Sequence, residues 1–410
     1  MSQLKVTGGR PLCGRVTVSG TKNAALPILF ATVLVKGVST LRNLPDIRDV
    51  GTVLSLLESM GAKVLRKDGW AQIDTTALSP LPYDPRTAEL RGSLYLLGSS
   101  ISRFGEVTFG AAGGCDFGGR PYDYHICLLE KMGCKIKRHG GRITLKAEML
   151  QGCKILLPYP SVGATCNAIL AAMGARGETV IEGAAQEPHV SELCDFLSAC
   201  GAQIAREGSR LRLSAGKLHG ADFTLSGDAI EAGTYLAAVL GTGGEGEVLG
   251  FDPRHLGEAL PAFRAMGARV VCGKSGVWIK SLAPLRGISL KTAPFPGFPT
   301  DLHPVFAVLL SLSEGGGEIR EEVFCQRFRY LEELGQMGVT AETEASRAIF
   351  RGRDTLRASS VTVPDLRGGA ALLTAALRAE GESVIHGAEV LPRGYADLPK
   401  KLCALGAAVQ

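Results

Sequence analysis

The sequence lacks the long hydrophobic runs and the blocks of like charge that mark membrane and nucleic-acid-binding proteins. Its first twenty residues alternate polar and apolar side chains, so we expect neither a signal peptide nor a membrane anchor, and a cytoplasmic location. The net charge of +5 is small and spread along the chain. This argues against nucleic acid as a partner, whereas a pocket for an anionic substrate is compatible with it.

Cysteine pairs with the spacing of a zinc site are also absent. The 11 cysteines are scattered and none forms a CxxC pair. We interpret them as reduced thiols, most of them buried as small hydrophobic side chains. No cofactor motif occurs either, so the sequence predicts neither a metal nor a cofactor.

The 410 residues contain six copies of one unit of about 70 residues. Each copy contains a segment whose pattern predicts an amphipathic helix, a glycine cap and a strand. A shorter helix, apolar almost all round, precedes this segment and is expected in the core. One unit therefore contains two helices and about four strands. The six capping glycines are Gly61, Gly133, Gly201, Gly267, Gly338 and Gly406.

The copies predict two domains of three units each. The sixth copy ends before its closing strand, whereas the chain begins with a spare pair of strands, so we expect the N-terminus to complete the last copy. One domain then comprises residues 22–226. The other comprises residues 1–21 together with 227–410.

The loops in front of the core helices carry polar residues that differ from copy to copy. A helix N-terminus offers unpaired N–H groups and partial positive charge, and Lys22, Arg91 and Arg367 add full charges there. The alternative is that these loops hold only helix caps and solvated turns. Because caps tend to repeat and these residues do not, we favour an anion site in a cleft between the domains.

One loop departs from the repeat pattern. Residues 111–123 (AAGGCDFGGRPYD) are inserted in copy two, and four glycines surround Cys115. Such a loop is exposed, unlike the usual surroundings of a structural cysteine, and Arg120 adds a positive charge nearby. We interpret Cys115 as a functional thiol, with a free thiol on a glycine-rich surface loop as the alternative.

Seven motifs extend over nearly the whole chain: GTKNAALPIL, GGCDFGGRP, SVGAT, FPTD, RFRYLEELGQMG, DLRGGAAL and PRGY. Together they resemble the UDP-N-acetylglucosamine 1-carboxyvinyltransferase family of enolpyruvyl transferases. The resemblance implies an α/β (α+β) fold of two inside-out α/β barrel domains, each built from three repeats, with a cleft between them. It also implies transfer of the enolpyruvyl group of phosphoenolpyruvate to the 3-hydroxyl of UDP-N-acetylglucosamine. That reaction opens peptidoglycan precursor synthesis, on which cell shape and division depend, and is the target of fosfomycin.

The resemblance also assigns roles to residues. Lys22, Arg120 and Arg393 match residues that grip the phosphate of phosphoenolpyruvate, and the first and last of these are expected to be catalytic. Cys115 resembles the acid that protonates the methylene carbon, and Asp301 the base at the sugar 3-hydroxyl. Forked guanidinium groups suit the anionic groups of the donor. The other substrate-binding residues that the resemblance implies are Asn23, Arg91, Pro121, Tyr122, Asp123, Tyr124, Ser161, Val162, Gly163, Phe324, Arg327 and Arg367.

At five positions the chain departs from the family motifs, and two alternative functions stay open. A non-catalytic paralogue that binds a sugar nucleotide is favoured by the departures and opposed by the set of arginines. A transferase that uses shikimate 3-phosphate is opposed by the Cys115 loop. No protein partner is predicted. The departures are Cys166, Ala229, His303, Cys325 and Gln326.

Overall fold

The α/β chain divides into two units. One unit is Gly20–Leu225, and the other joins Met1–Ser19 to Ser226–Gln410. The predicted limits of the domains lie within two residues of this division, and their behaviour as independent domains stays a prediction. The structure, a computed structural model, describes residues 3–81, 84–110, 123–139, 142–282 and 284–410.

Core helices and two-faced outer helices alternate along the chain, as the repeats predict. In α8, for example, eleven residues are buried, and in α10 nine are buried, because both helices are apolar on nearly every face. No helix within the described ranges is long and apolar enough to cross a membrane. The helices are α1 Lys22–Ala31, α2 Arg48–Ser59, α3 Arg86–Glu89, α4 Tyr95–Phe104, α5 Asp123–Lys131, α6 Val162–Ala172, α7 Pro188–Ala199, α8 Ala229–Gly241, α9 Ala259–Ala265, α10 His303–Leu312, α11 Tyr330–Gln336, α12 Leu366–Arg378 and α13 Leu398–Ala404.

Short 3₁₀ helices, which the repeat pattern does not predict, supplement these elements. They are Thr32–Leu34, Arg91–Leu94, Pro253–Leu256 and Ala388–Arg393. The strands are β1 Gln3–Gly8, β2 Cys13–Thr17, β3 Val38–Arg42, β4 Lys63–Lys67, β5 Trp70–Asp74, β6 Glu106–Gly110, β7 Lys135–His139, β8 Arg142–Lys146, β9 Leu150–Gln151, β10 Lys154–Leu156, β11 Ala175–Arg176, β12 Thr179–Glu182, β13 Gln203–Glu207, β14 Arg210–Ser214, β15 Asp222–Thr224, β16 Glu245–Leu249, β17 Ala268–Cys272, β18 Gly276–Ser281, β19 Arg286–Lys291, β20 Glu314–Arg320, β21 Ala341–Glu344, β22 Arg347–Phe350, β23 Ser360–Thr362, β24 Gly381–His386 and β25 Ala408–Val409.

The strands form one main sheet per repeat, and β9 and β11 form a further parallel pair. In the unit Gly20–Leu225 the orders are β15-β3-β5-β4, β6-β8-β7 and β10-β12-β14-β13. In the other unit they are β17-β18-β16-β2, β19-β20-β22-β21 and β23-β24-β1-β25. Each four-stranded sheet combines one parallel pair with two antiparallel pairs. The same pattern in five sheets confirms the internal repeat.

The N-terminal strands complete the second unit, with one correction to the prediction. Strand β1 pairs antiparallel with β24 and β25 and so closes the sheet of the sixth copy, as expected. Strand β2 does not join that sheet but pairs in parallel with β16 of the fourth copy. The reason is that β1 alone supplies the missing strand, whereas β2 takes the edge position that β15 fills in the first copy.

The six capping glycines adopt the same conformation in every copy. Their φ angles lie between +87° at Gly406 and +102° at Gly201, where side chains are rarely accommodated. Each N–H bonds the carbonyl three residues earlier, and in five copies the next N–H bonds the carbonyl five residues earlier. This is the hydrogen-bond pattern of a Schellman cap, which ends each outer helix and turns the chain into the next strand.

Candidate active site

Three residues that the sequence motifs single out lie together at the start of α10. Asp301 ends the FPTD loop, and its Oδ1 accepts a hydrogen bond from Nη1 of Arg327 at 2.7 Å. Its Oδ2 accepts from Nε of Arg367 at 3.1 Å and lies 2.9 Å from Nη2 of the same guanidinium. Both arginine side chains are almost fully buried, whereas the Asp301 side chain is 27 % exposed. One carboxylate thus lies between two cations, with part of its surface open to a ligand.

The two arginines determine the protonation state of Asp301. Burial opposes ionisation of this carboxyl group, but the charges of Arg367 and Arg327 outweigh it and hold the pKa of Asp301 well below its usual value. For Arg367, burial acts against the charged form, while Tyr395 and Asp301 raise its pKa above the ordinary value. The cluster therefore carries one negative and two positive charges across the physiological pH range.

The elements around Arg367 explain how it is fixed. Asp365 caps α12 by accepting from the N–H groups of Arg367 and Gly368 at 2.9 and 3.0 Å. The guanidinium of Arg367 lies over the ring of Tyr395, 5.3 Å from its centroid. The Tyr395 hydroxyl in turn lies 3.1 Å from the hydroxyl of Thr234 on α8. Sequence analysis missed the role of Tyr395, although the PRGY motif contains it.

A second missed group lies behind Asp301. The Thr300 hydroxyl accepts a hydrogen bond from Nη1 of Arg327 at 3.0 Å and donates to the carboxylate of Glu321 at 2.7 Å. Glu321 is fully buried and directly follows strand β20. The sequence pointed to Thr300, which belongs to the FPTD motif, but not to Glu321, which lies outside the motifs.

His303, one of the five departures from the family motifs, adds no charge to the cluster of Asp301, Arg327 and Arg367. The ring is fully buried at the start of α10, with Nδ1 3.1 Å from the hydroxyl of Tyr330 and Nε2 3.4 Å from Glu321. Burial lowers the pKa of His303 well below its usual value, and Arg327 lowers it further. The ring is therefore neutral at physiological pH.

The other departures fall in different surroundings. Cys166 is buried within α6, where burial raises the pKa of its thiol, so it behaves as a core residue. Ala229 is the first residue of α8 and is partly buried, whereas Cys325 and Gln326 are exposed. None of these four adds a charge to the Asp301 cluster.

In the unit Gly20–Leu225, Lys22 is the first residue of α1 and forms an ion pair. Its Nζ lies 2.7 Å from Oδ2 of Asp49, near the start of α2, and both side chains are largely buried. Asn23 follows on α1 and is partly exposed. Asp49 is a residue that sequence reasoning missed, because nothing in its local sequence marks it as the partner of Lys22.

The SVGAT loop begins α6 beside a buried histidine. Ser161 is the helix cap, with its hydroxyl 3.4 Å from the N–H of Ala164. Val162 and Gly163 open the helix, and a Cβ at Gly163 would lie 2.9 Å from the ring of His125. Glycine is required there because the ring is itself fixed, with Nδ1 2.6 Å from Nδ2 of Asn167.

Capping accounts for part of the polarity of the six loops. Ser161, Asp228 and Asp365 accept hydrogen bonds from the first N–H groups of α6, α8 and α12. The expectation that the varied loop residues are not caps is therefore wrong for these three loops. The reason is that Ser and Asp serve the same capping geometry, so a cap repeats without an identical residue.

The remaining predicted site residues are distributed as follows. Arg393 ends the 3₁₀ helix Ala388–Arg393 and is partly buried. Phe324 lies beneath Arg327, with the guanidinium carbon 5.8 Å from its ring centroid. Tyr124 on α5 is exposed. Outside the described residues, or with side chains that the structure does not describe, lie Cys115, Arg120, Pro121, Tyr122, Arg91 and Asp123.

Comparison with known proteins first defines the class. A family model described as EPSP synthase (3-phosphoshikimate 1-carboxyvinyltransferase) matches residues 6–402. The crystal structure of the enolpyruvyl transferase NikO from Streptomyces tendae is similar with a TM-score of 0.90 and 26% identity, covering 100% of this chain and 98% of that one. Fold and sequence together define the protein as an enolpyruvyl transferase, and the predicted fold class is confirmed.

Relatives at higher identity narrow the class. UDP-N-acetylglucosamine 1-carboxyvinyltransferase 3 of Caldanaerobacter subterraneus subsp. tengcongensis is 40% identical over 411 residues, 99% of this chain and 98% of the relative. UDP-N-acetylglucosamine 1-carboxyvinyltransferase of Idiomarina loihiensis is 40% identical over 416 residues, 100% of this chain and 99% of the relative. The chain belongs to the UDP-N-acetylglucosamine 1-carboxyvinyltransferase family, which confirms the resemblance inferred from the motifs.

Proposed function

We propose that the protein transfers the enolpyruvyl group of phosphoenolpyruvate to the 3-hydroxyl of UDP-N-acetylglucosamine and releases inorganic phosphate. The names of its full-length relatives support this acceptor. The structural observation that supports it best is the partly exposed carboxylate of Asp301 between Arg327 and Arg367. Such a cluster combines a proton acceptor with two groups suited to a donor that carries a carboxylate and a phosphate.

The proposed reaction proceeds by addition and elimination. Asp301 takes the proton of the sugar 3-hydroxyl as its oxygen bonds to C2 of phosphoenolpyruvate, while Cys115 gives a proton to C3. The bond from C2 to the phosphate oxygen then breaks, and the Cys115 thiolate takes a proton back from C3. The products are an enolpyruvyl ether and phosphate, and the proton first held by Asp301 leaves to solvent or phosphate.

The ion pairs of Asp301 have a consequence for this chemistry. A carboxylate held by two guanidinium groups is a weak base, because protonation would sacrifice both ion pairs. Donor anions bound to Arg327 and Arg367 would offset their positive charge and make Asp301 more basic. Donor binding therefore prepares the base that activates the acceptor.

Further roles follow from the family resemblance and stay proposals. Lys22, Arg120 and Arg393 bind the donor phosphate, and Asn23 contacts the sugar. The uridine and diphosphate groups are bound by residues 120–123 and by residues 161–163. Arg91, Tyr124 and Phe324 complete the substrate contacts. The ion pair with Asp49 requires that Lys22 exchange a protein carboxylate for the donor phosphate.

The wider biological setting is also a proposal. Enolpyruvyl transfer to UDP-N-acetylglucosamine is the first committed step of peptidoglycan precursor synthesis, and we propose that the protein performs it in the cytoplasm. Phosphonate epoxides of the fosfomycin type would mimic the donor and alkylate Cys115. Cell shape and division would then depend on this activity.

Release of phosphate from phosphoenolpyruvate tests the proposed function. The purified protein is incubated with the donor and with UDP-N-acetylglucosamine, with shikimate 3-phosphate or with no acceptor. We expect phosphate release only with the sugar nucleotide. Release only with shikimate 3-phosphate would identify the sister activity, and no release with either acceptor would favour the non-catalytic alternative.

A further inference from the structure

The buried carboxylate of Glu321 joins the two segments that carry Asp301 and Arg327. Its Oε1 accepts hydrogen bonds from the Thr292 hydroxyl at 2.9 Å and from the N–H groups of Val323 and Phe324 at 2.8 and 2.7 Å. Its Oε2 accepts from the Thr300 hydroxyl at 2.7 Å. The first oxygen thus fixes the segment that leads to Arg327. The second fixes the residue next to Asp301.

The direction of the hydrogen bonds follows from the chemistry of the groups. An arginine can only donate, so the Thr300 oxygen must accept from Arg327, and its own hydrogen must point elsewhere. A carboxylate can only accept, and Glu321 receives that hydrogen. The result is a chain of bonds from Glu321 through Thr300 and Arg327 to Asp301, in which each donor and acceptor role is fixed.

We infer that Glu321 is a positioning residue for the proposed reaction: it orients the Thr300 hydroxyl and thereby holds Arg327 in place against Asp301. It contacts no substrate in this account and acts only through its neighbours. The inference rests on the proposed function, in which Asp301 is the base and Arg327 binds the donor. Displacement of either group by a fraction of an ångström would misalign the proton transfer.

Glu321→Gln tests the inference because it preserves the shape of the side chain but replaces one hydrogen-bond acceptor, a carboxylate oxygen, by a donor, the amide NH₂. The amide oxygen is needed by the three donors at Oε1, so the amide NH₂ would face Thr300. Thr300 would then accept a hydrogen bond where it now donates one, and its bond from Arg327 would weaken. We expect kcat to fall about ten- to hundredfold with a much smaller change in KM for UDP-N-acetylglucosamine.

Two sets of variants distinguish a positioning role of Glu321 from a general loss of structure. Thr300→Val removes the linking hydroxyl and should reproduce the loss of kcat, whereas Thr300→Ser should retain most activity. Glu322→Gln is the matched control, because Glu322 is the next residue but its side chain is exposed and pairs with Lys291 on the surface. Its kcat should equal that of the wild type. A melting temperature for each variant shows that it is folded.

The decisive comparison uses the background Arg327→Gln. If Glu321 acts through Arg327, Glu321→Gln should lower kcat little further once that guanidinium is gone. A full additional loss in that background, or a wild-type kcat for Glu321→Gln, would overturn the inference. If Glu321→Gln does not fold, Thr300→Val replaces it in the same comparison. A wild-type kcat for Thr300→Val would likewise overturn the inference.

A second readout separates this inference from the proposed function. Absence of acceptor-dependent phosphate release in the wild type would overturn the proposed function itself. In that case NMR of the Arg327 guanidinium still tests its positioning. Its Nη protons should exchange with water faster in Glu321→Gln than in the wild type, since Arg327 is held less firmly. Unchanged exchange would contradict the inference.

Discussion

At the scale of single residues, the motifs located the Asp301 cluster but not the residues that support it. Arg327 and Arg367 both lie within hydrogen-bond distance of Asp301, as their common assignment to one site requires. Asp49 and Glu321 escaped prediction because their importance arises from partners many positions away in sequence. A single sequence shows which residue types are present, but contacts between distant segments become visible only in the fold.

The acidity of Asp301 has a consequence for stability. Asp301→Asn leaves the buried charges of Arg327 and Arg367 without their carboxylate. We expect the free energy of unfolding at pH 7 to fall by about 2–3 kcal/mol. This is small for a broken buried ion pair because Asp301 is partly exposed. The folded state lowers the pKa of Asp301, so the stabilisation is present above the unfolded-state pKa of about 3.9 and is lost as the pH falls below it.

Urea denaturation of the two proteins at pH 7, 4 and 3 measures this effect. The difference in the free energy of unfolding should shrink steadily toward the lowest pH. Asp222→Asn is the control, because Asp222 forms an exposed ion pair with Arg42, and such pairs contribute little. Equal stability of wild type and Asp301→Asn at pH 7 would contradict the account.

Substitutions of Cys115 test its proposed role as an acid. Cys115→Ser should nearly abolish turnover, because a hydroxyl is a far weaker acid than a thiol, whereas Cys115→Asp should keep substantial activity. Fosfomycin should label the wild type at Cys115 and leave the Asp variant unlabelled, since a carboxylate is a poor nucleophile toward the epoxide. Intact mass and peptide mapping provide the measurement. An adduct on any other cysteine, with Cys115 unmodified, would contradict the assignment.

At the scale of secondary-structure elements, the repeat predicted the order of helices and strands better than their lengths. The outer helices α9, α11 and α13 contain only seven residues each, because short 3₁₀ or irregular segments take over their first turns. The 3₁₀ helices were not predicted, since a single turn has too few residues to show a period. The capping glycines were predicted in all six copies because a Schellman cap needs a positive φ.

The capping glycines provide a matched test of this conformational requirement. At Gly267, φ is +94° and a Cβ would meet no atom within 4 Å, so Gly267→Ala isolates the backbone strain. We expect a loss of about 1–2 kcal/mol in the free energy of unfolding. Gly335→Ala, at an exposed helical position with equal free space, should be neutral or stabilising by up to about 1 kcal/mol. The same effect from both substitutions in urea denaturation would argue against the cap.

At the scale of the whole molecule, the ends of the chain meet in one sheet. Strand β1 lies between β24 and β25, and Val6 on it is fully buried. The sequence predicted that the N-terminus completes the sixth copy, because that copy lacks its closing strand. The position of β2 was not predicted, because a repeat shows that a strand is needed but not which copy receives it.

Val6→Ala tests the contribution of this strand to the unit that contains Ser226–Gln410. Removing two buried methyl groups should lower the free energy of unfolding by about 2 kcal/mol. Hydrogen exchange should show faster opening of β24, although it is nearly four hundred residues away in sequence. Thr7→Ala, at an exposed position on the same strand, should change neither quantity appreciably. Unchanged exchange in β24 after Val6→Ala would show that β1 is dispensable.

The central claim is the transfer of an enolpyruvyl group to UDP-N-acetylglucosamine, and the structure of the product tests it most directly. The wild-type protein is incubated with phosphoenolpyruvate and the sugar nucleotide, and the product is analysed by mass spectrometry and NMR. We predict one vinyl ether at the sugar 3-oxygen, formed in step with inorganic phosphate. Unchanged sugar nucleotide after prolonged incubation, or a vinyl ether at another oxygen, would contradict the proposed function.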